Sequence, residues 1–211
     1  NFHLLGGYQW EDSRANSVVA GVTSLINNNL PSLELGDNLT KTNGENIRTF
    51  AYQSIFGRFN YNYANKYLIE ATLRSDESSR LAPSLRTKLF PSVSAGWNVH
   101  KEQWFSKAIP FFSEFKLRGS IGTQGLAQGI GNYDYLPLLV PGSALVLGSP
   151  ELKTTYFSQN TVPASDLSWE TLVTTNGGLD FGLISNRIQG SFDYYVKYNR
   201  NMLVPVLLPS T

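Results

Sequence analysis

The sequence predicts an all-β chain, an antiparallel transmembrane β-barrel of which it supplies about seven strands. Three observations predict it. Segments of about ten residues alternate between apolar and polar side chains, the length and period of a tilted membrane strand. Tyr61, Tyr63 and Tyr67 crowd both sides of the turn Ala64, Asn65, Lys66, where a barrel keeps the girdle that sits among the headgroups. Long connections fall on one rim and mostly shorter ones on the other, as external loops and periplasmic turns do. Alternation alone is shared with a soluble β-sandwich, whose apolar faces pack on each other. The aromatic placement favours the barrel.

Taken in order, Phe2 to Glu11 sets Phe2, Leu4, Gly6, Tyr8 and Trp10 on one face against His3, Gln9 and Glu11 on the other, the period of two of a pleated strand. Asp12 to Asn46 is polar, with three asparagines from Asn27 and the turn signal Gly36-Asp37, and reads as a loop. Ser54 to Asp76 carries the clearest signal, two strands around the turn Ala64, Asn65, Lys66. Ile55, Gly57, Phe59, Tyr61 and Tyr63 share a face with Tyr67, Ile69, Ala71 and Leu73, while Phe56, Arg58, Asn60 and Asn62 go with Leu68, Glu70, Thr72, Arg74 and Asp76. After a loop from Glu77 to Lys88, Val93, Ala95, Trp97 and Val99 alternate with Ser92, Ser94, Gly96 and Asn98. His100 to Ser113 breaks the pattern and predicts a helical turn before Pro110. The fifth strand sets Phe115, Leu117, Gly119 and Ile121 against Lys116, Arg118, Ser120 and Gln124. A long loop, Gly125 to Ser168, exceeds the usual hairpin connection, which marks it as functional or packed on a partner. The last hairpin places Val173, Thr175, Gly177, Leu179 and Phe181 with Ile188, Gly190, Phe192, Tyr194, Val196 and Tyr198 on the lipid side, around a tight turn near Ser185 and Asn186. Leu208 to Thr211 reads as the start of a further loop.

Composition narrows the classes. The 211 residues carry a net charge of +1, which offers no electrostatic case for nucleic acid. The absence of cysteine excludes disulfide frameworks and thiolate metal sites. Mean hydropathy of -0.20 does not exclude a wide barrel, whose lumen and loops are polar. No apolar run reaches the roughly 20 residues of a spanning helix. The odd strand count leaves two unpaired edges, so the segment is expected to be an internal piece of a longer barrel.

Four runs resemble, in order, the SusC-like branch of the TonB-dependent outer-membrane transporters: SIFGRFNYNYANKYLIEATLRSDESSR, LFPSVSAGWNV, FKLRGSIGTQG with IGNYDYL, and DLSWETLVTTNGGLDFGLISNRIQGSFDYYVKYNRNML. They span about half of the chain; before Ser54 the match is one of style. The resemblance implies a plugged barrel of about 22 strands, in the outer membrane of a Bacteroidota-type cell. It implies import of oligosaccharides or peptides under a SusD-like lipoprotein lid, energised through TonB. It implies that residues 1–211 are barrel only, with plug, TonB box and closing strands elsewhere. No cofactor is implied.

Candidate sites divide between functional and structural readings. Tyr133, Asp134, Tyr135, Tyr156 and Phe157 lie in the long external loop, where aromatics stack on sugars or anchor a lid, or else pack the loop internally. Arg58, Glu70, Arg74, Lys116, Arg118 and Asp193 form a mixed-sign ladder facing the lumen, as partners of the plug or as a solvated wall. Trp169, Glu170 and Thr171 read as the opening of a strand rather than a sugar platform. Asp76 to Arg80 reads as a polar turn rather than a metal loop. His3 and His100 have no ligand-like spacing. The glycines from Gly122 to Gly131 lack the lysine of a phosphate loop. No nucleophile and base come together, which argues against an enzyme. Besides import, a structural or adhesive barrel and a soluble sandwich binding module stay open to the residues alone.

Overall fold

The computed structural model describes residues 1–27, 29–127, 129–147, 152–159 and 162–204; Leu208 to Thr211 lie outside them. Its elements are β1 (Phe2–Gly21), β2 (Thr42–Tyr63), β3 (Tyr67–Ser78), β4 (Thr87–Asn98), the short helix α1 (Gln103–Ala108), β5 (Phe112–Leu126), β6 (Leu139–Leu147), β7 (Leu152–Gln159), β8 (Glu170–Leu183) and β9 (Ile188–Arg200). Seven strands form one curled antiparallel sheet in the order β1-β2-β3-β4-β5-β8-β9, and β6-β7 is a separate hairpin inserted between β5 and β8. The seven-stranded sheet is therefore the predicted one.

The two faces divide as the alternation requires. Cross-strand rows such as Phe59↔Ala71↔Val93↔Ile121↔Thr175↔Val196 lie on the outer face. Phe59, Tyr61, Ile69, Leu73, Leu117 and Phe192 are exposed there. A large apolar surface left bare on one face of a sheet needs a nonaqueous neighbour, which the bilayer supplies. At the lower rim the rings of Tyr63, Tyr67 and Trp97 stack in sequence, with centroids 6.3 and 6.4 Å apart. The turn between β2 and β3 is tight because Ala64 (φ 53°) and Asn65 (φ 54°) both take left-handed conformations, the requirement of a primed hairpin turn. Asn62 holds it, its Oδ1 accepting the Asn65 N–H at 2.9 Å.

Three boundaries differ from expectation. β1 and β2 run 20 and 22 residues, so both ends of the predicted loop from Asp12 to Asn46, Asp12 to Gly21 and Thr42 to Asn46, are strand. β3 pairs with β2 only as far as Tyr52↔Ser78, whereas β1 and β2 stay paired up to Gly21↔Thr42. The upper part is a two-stranded ribbon with water on both sides, and where both faces are wet no alternation is selected. The loop from Gly125 to Ser168 contains the β6-β7 hairpin, whose strand signal is interrupted by Pro141 and Gly142, tolerated on an unpaired edge. Val99, placed on the lipid face by parity, instead opens a 3-10 turn and is buried.

Candidate functional site

The inner face carries the charged ladder. Opposite residues on adjacent strands lie about 5 Å apart, so same-face charges on neighbouring strands meet. Arg118 on β5 reaches across β8 to β9, pairing with Asp180 at 3.2 Å and Asp193 at 2.7 Å. Arg74 binds Asp76 at 2.6 Å and donates to Gln9 Oε1 and Tyr52 OH at 3.1 and 3.0 Å. Arg58 and Glu70 are a loose pair at 3.9 Å. Lys116 lines a trough of about 580 Å³ with His3, Asn60, Glu70, Arg118 and Asn176. Apart from Lys116, the ladder residues thus pair within the wall. Their partial exposure limits each pair to about 0–1 kcal/mol, so the ladder supplies a polar surface more than stability.

At the upper rim the loops fold onto the inner face around a small core of Leu81, Phe90, Ile130 and Trp169. Trp169 is 2% exposed, edge-on to Phe90 at 5.6 Å and Tyr52 at 6.4 Å. Its Nε1 donates to the Arg86 carbonyl at 2.8 Å. Gly125 on β5 is needed for this approach, since a Cβ there would collide with the rings of Phe90 and Trp169.

Two arginines bind the following segment to that core. Arg80 lies 4.1 Å over the Phe50 ring and donates to Asn132 Oδ1 at 3.1 Å. Arg86 donates to Tyr135 OH at 3.2 Å. Tyr133 OH accepts the Thr49 N–H at 3.2 Å, and Asp134 Oδ2 accepts the Gly131 N–H at 2.6 Å. Tyr133, Asp134 and Tyr135 therefore make hydrogen bonds within the rim loops and to β2. Tyr156 and Phe157 sit on β7, Phe157 66% exposed, and among the described residues no hydrogen bond or ring contact joins them to the other three. Asp76 and Ser79 belong to the same scaffold, with Ser79 Oγ accepting the Ala51 N–H at 2.8 Å. His100 Nδ1 accepts the Phe115 N–H at 3.2 Å.

Sequence reasoning missed Asp180, Arg80, Arg86 and Glu102. Asp180 was legible, since it shares parity with the inner face between Leu179 and Phe181. The arginines and Glu102 lie outside alternating segments and gain their roles only by tertiary contact.

Glu102 organises the lower rim. Its carboxylate binds Lys66 Nζ at 3.0 Å, Tyr67 OH at 2.9 Å and Trp97 Nε1 at 3.4 Å. The Lys66 hydrogen bond, followed by that of Tyr67, holds its carboxyl below the usual carboxylate range. A depressed carboxyl pKa stabilises the docked state above the unfolded value of about 4.3 and loses that contribution as pH falls through the folded value. Acidification below about pH 4 is accordingly expected to loosen the segment bearing α1. Tryptophan emission of the full-length receptor in detergent checks this, and Glu102→Gln is expected to remove the acid-dependent component; an unchanged titration in that variant would refute the assignment.

Comparison with known proteins follows the same lines. The family model described as TonB dependent receptor-like, beta-barrel, matches residues 1–211. The TonB-dependent receptor SusC of Bacteroides thetaiotaomicron is 38% identical over 159 residues, 74% of this chain. The TonB-dependent receptor P3 of Formosa agariphila is 32% identical over 210 residues, 99% of this chain. The chain spans 16% and 20% of the length of those two relatives. The solved structure of the RagAB peptide transporter superposes with a TM-score of 0.85 at 27% identity, over 99% of this chain and 22% of that one.

Proposed function

Because this chain belongs to the family of TonB-dependent receptor β-barrels and is a SusC-like outer-membrane wall segment, we propose that its full-length receptor imports oligomeric nutrients, oligosaccharides or peptides. In this reading a SusD-like lipoprotein closes the outer mouth and TonB supplies the energy. Residues 1–211 are barrel wall, while plug and closing strands come from other segments. The family is one of receptors and transporters rather than enzymes. The observation that carries the reading is the division of one sheet into an apolar outer band and a charged inner trough, which suits a wet conduit through lipid. The description of RagAB as a peptide transporter and the likeness to SusC support the oligomeric class.

Tyr156 and Phe157 are the residues proposed to meet lid or cargo, with Tyr133, Asp134 and Tyr135 holding the base of that loop. Uptake of labelled oligosaccharide and peptide pools, compared between cells with and without the receptor and with TonB disrupted, tests the function. Receptor-dependent and TonB-dependent uptake of one pool is expected; equal uptake in all strains would reject it. Excising Leu139 to Gln159 from the full-length receptor is expected to weaken lid co-purification or uptake with the barrel normally assembled, because changing a loop's length costs little. Unchanged values of both would remove this hairpin from the mechanism.

A further inference from the structure

The connection between β4 and β5 turns back over the lipid side of the sheet rather than closing beneath the lumen. Tyr67 and Trp97 are outward-facing positions, in the same row as Leu117, and both donate to Glu102. Phe105 on α1 is buried with its ring stacked 5.3 Å from that of outward-facing Phe115 and 5.8 Å from Phe112. A register shift between Phe112 and Glu114 puts Phe112 and Phe115 on one side despite their spacing of three. On the far side of this collar Trp104 and Phe111 are 59% and 57% exposed. A notch of about 540 Å³ opens there, lined by Lys66, Glu102, Gln103, Trp104 and Lys107.

We propose that this notch seats the phosphate headgroup of one phospholipid of the periplasmic leaflet. Two ammonium groups face one carboxylate, which leaves one positive charge in surplus. Lys66 is bound to Glu102, and Lys107 has no hydrogen-bond or ion-pair partner among the described residues. The exposed indole of Trp104 supplies the amphipathic wall found at the boundary of acyl chain and headgroup. Continuity decides the occupant: the notch borders the apolar outer band at its girdle of Tyr63, Tyr67 and Trp97, so its neighbour is the bilayer. The lipid would hold the collar at one depth and fix the lower rim in the membrane, whatever the receptor imports.

The test is native mass spectrometry of the full-length receptor, purified in mild detergent, loaded with phosphatidylglycerol and then stripped by further detergent. One phospholipid is expected to survive on the wild type. Lys107→Glu is expected to lower its retention at least fivefold, about the worth at an anionic surface of the one basic residue it removes. Lys107→Arg and Trp10→Ala, the latter far from the notch, are expected to keep it, with heat-modifiable migration showing that every variant is folded. Equal retention by Lys107→Glu and wild type would overturn the proposal. So would displacement of the lipid by inorganic phosphate, which would make the notch a site for soluble anions.

Discussion

Val93→Arg is expected to deplete folded receptor from the outer membrane, while Ser94→Arg one residue on leaves it near normal. On β4 the outward positions run Leu89, Pro91, Val93, Ala95 and Trp97, so Val93 lies midway along the apolar band. Arginine at that depth on the lipid face costs about 2–4 kcal/mol. Ser94 points to the trough, opposite Glu70, where a guanidinium meets water and an opposite charge. The fraction of heat-modifiable protein in outer-membrane preparations reports the difference. Equal yields would count against the assigned faces, and the reverse order would mean that the two faces have been exchanged, as a one-residue register slip does.

Trp169→Ala is expected to release the rim loops without dismantling the wall. Removing a fully buried tryptophan costs roughly 3–5 kcal/mol where the site cannot collapse. Here the cavity would open beside Phe90 and Tyr52, and the Arg86 carbonyl would lose its 2.8 Å donor. The loss falls on the loop from Ser79 to Arg86 and on the segment carrying Tyr133 and Tyr135, since those are the parts the cluster joins to the strands. Trypsin applied to outer membranes is then expected to cut after Arg80 and Arg86, two sites expected to resist it in the wild type. Continued protection with the barrel intact would show that other contacts hold the rim. Gly125→Val is expected to mimic the change, because its side chain claims the space of the same two rings.

What the sequence disclosed depended on which solvent faced each side of a strand. Wherever lipid lies on one side and water on the other, as from Ser54 to Leu73 or Gly177 to Tyr198, selection imposes a period of two, and both face and register were readable. Above the membrane that constraint ends. Asp12, Arg14 and Asn16 share the outward parity of Trp10 yet are polar, so the upper half of β1 resembled a loop. Within the site, parity located Arg74 and Arg118 because they sit on alternating strands. It could not assign Tyr133 to packing, since its partner Thr49 is 84 residues away on another strand. Aromatic content marked the right segment without saying which of its rings face inward.

The long hairpin has a mechanical consequence. Ten residues of β2, from Thr42 to Ala51, extend past the last pair with β3, roughly 30 Å of ribbon at the usual rise. A free double strand clamped at one end is a cantilever, and a cantilever bends most at its root. That root is where Ser79 grips Ala51, Arg80 covers Phe50 and Tyr133 holds Thr49. A sideways push on the tip therefore has a lever arm of tens of ångströms over the few contacts that bind the rim loops to the wall, and a touch far outside the membrane would be felt as torque at Trp169 and its neighbours.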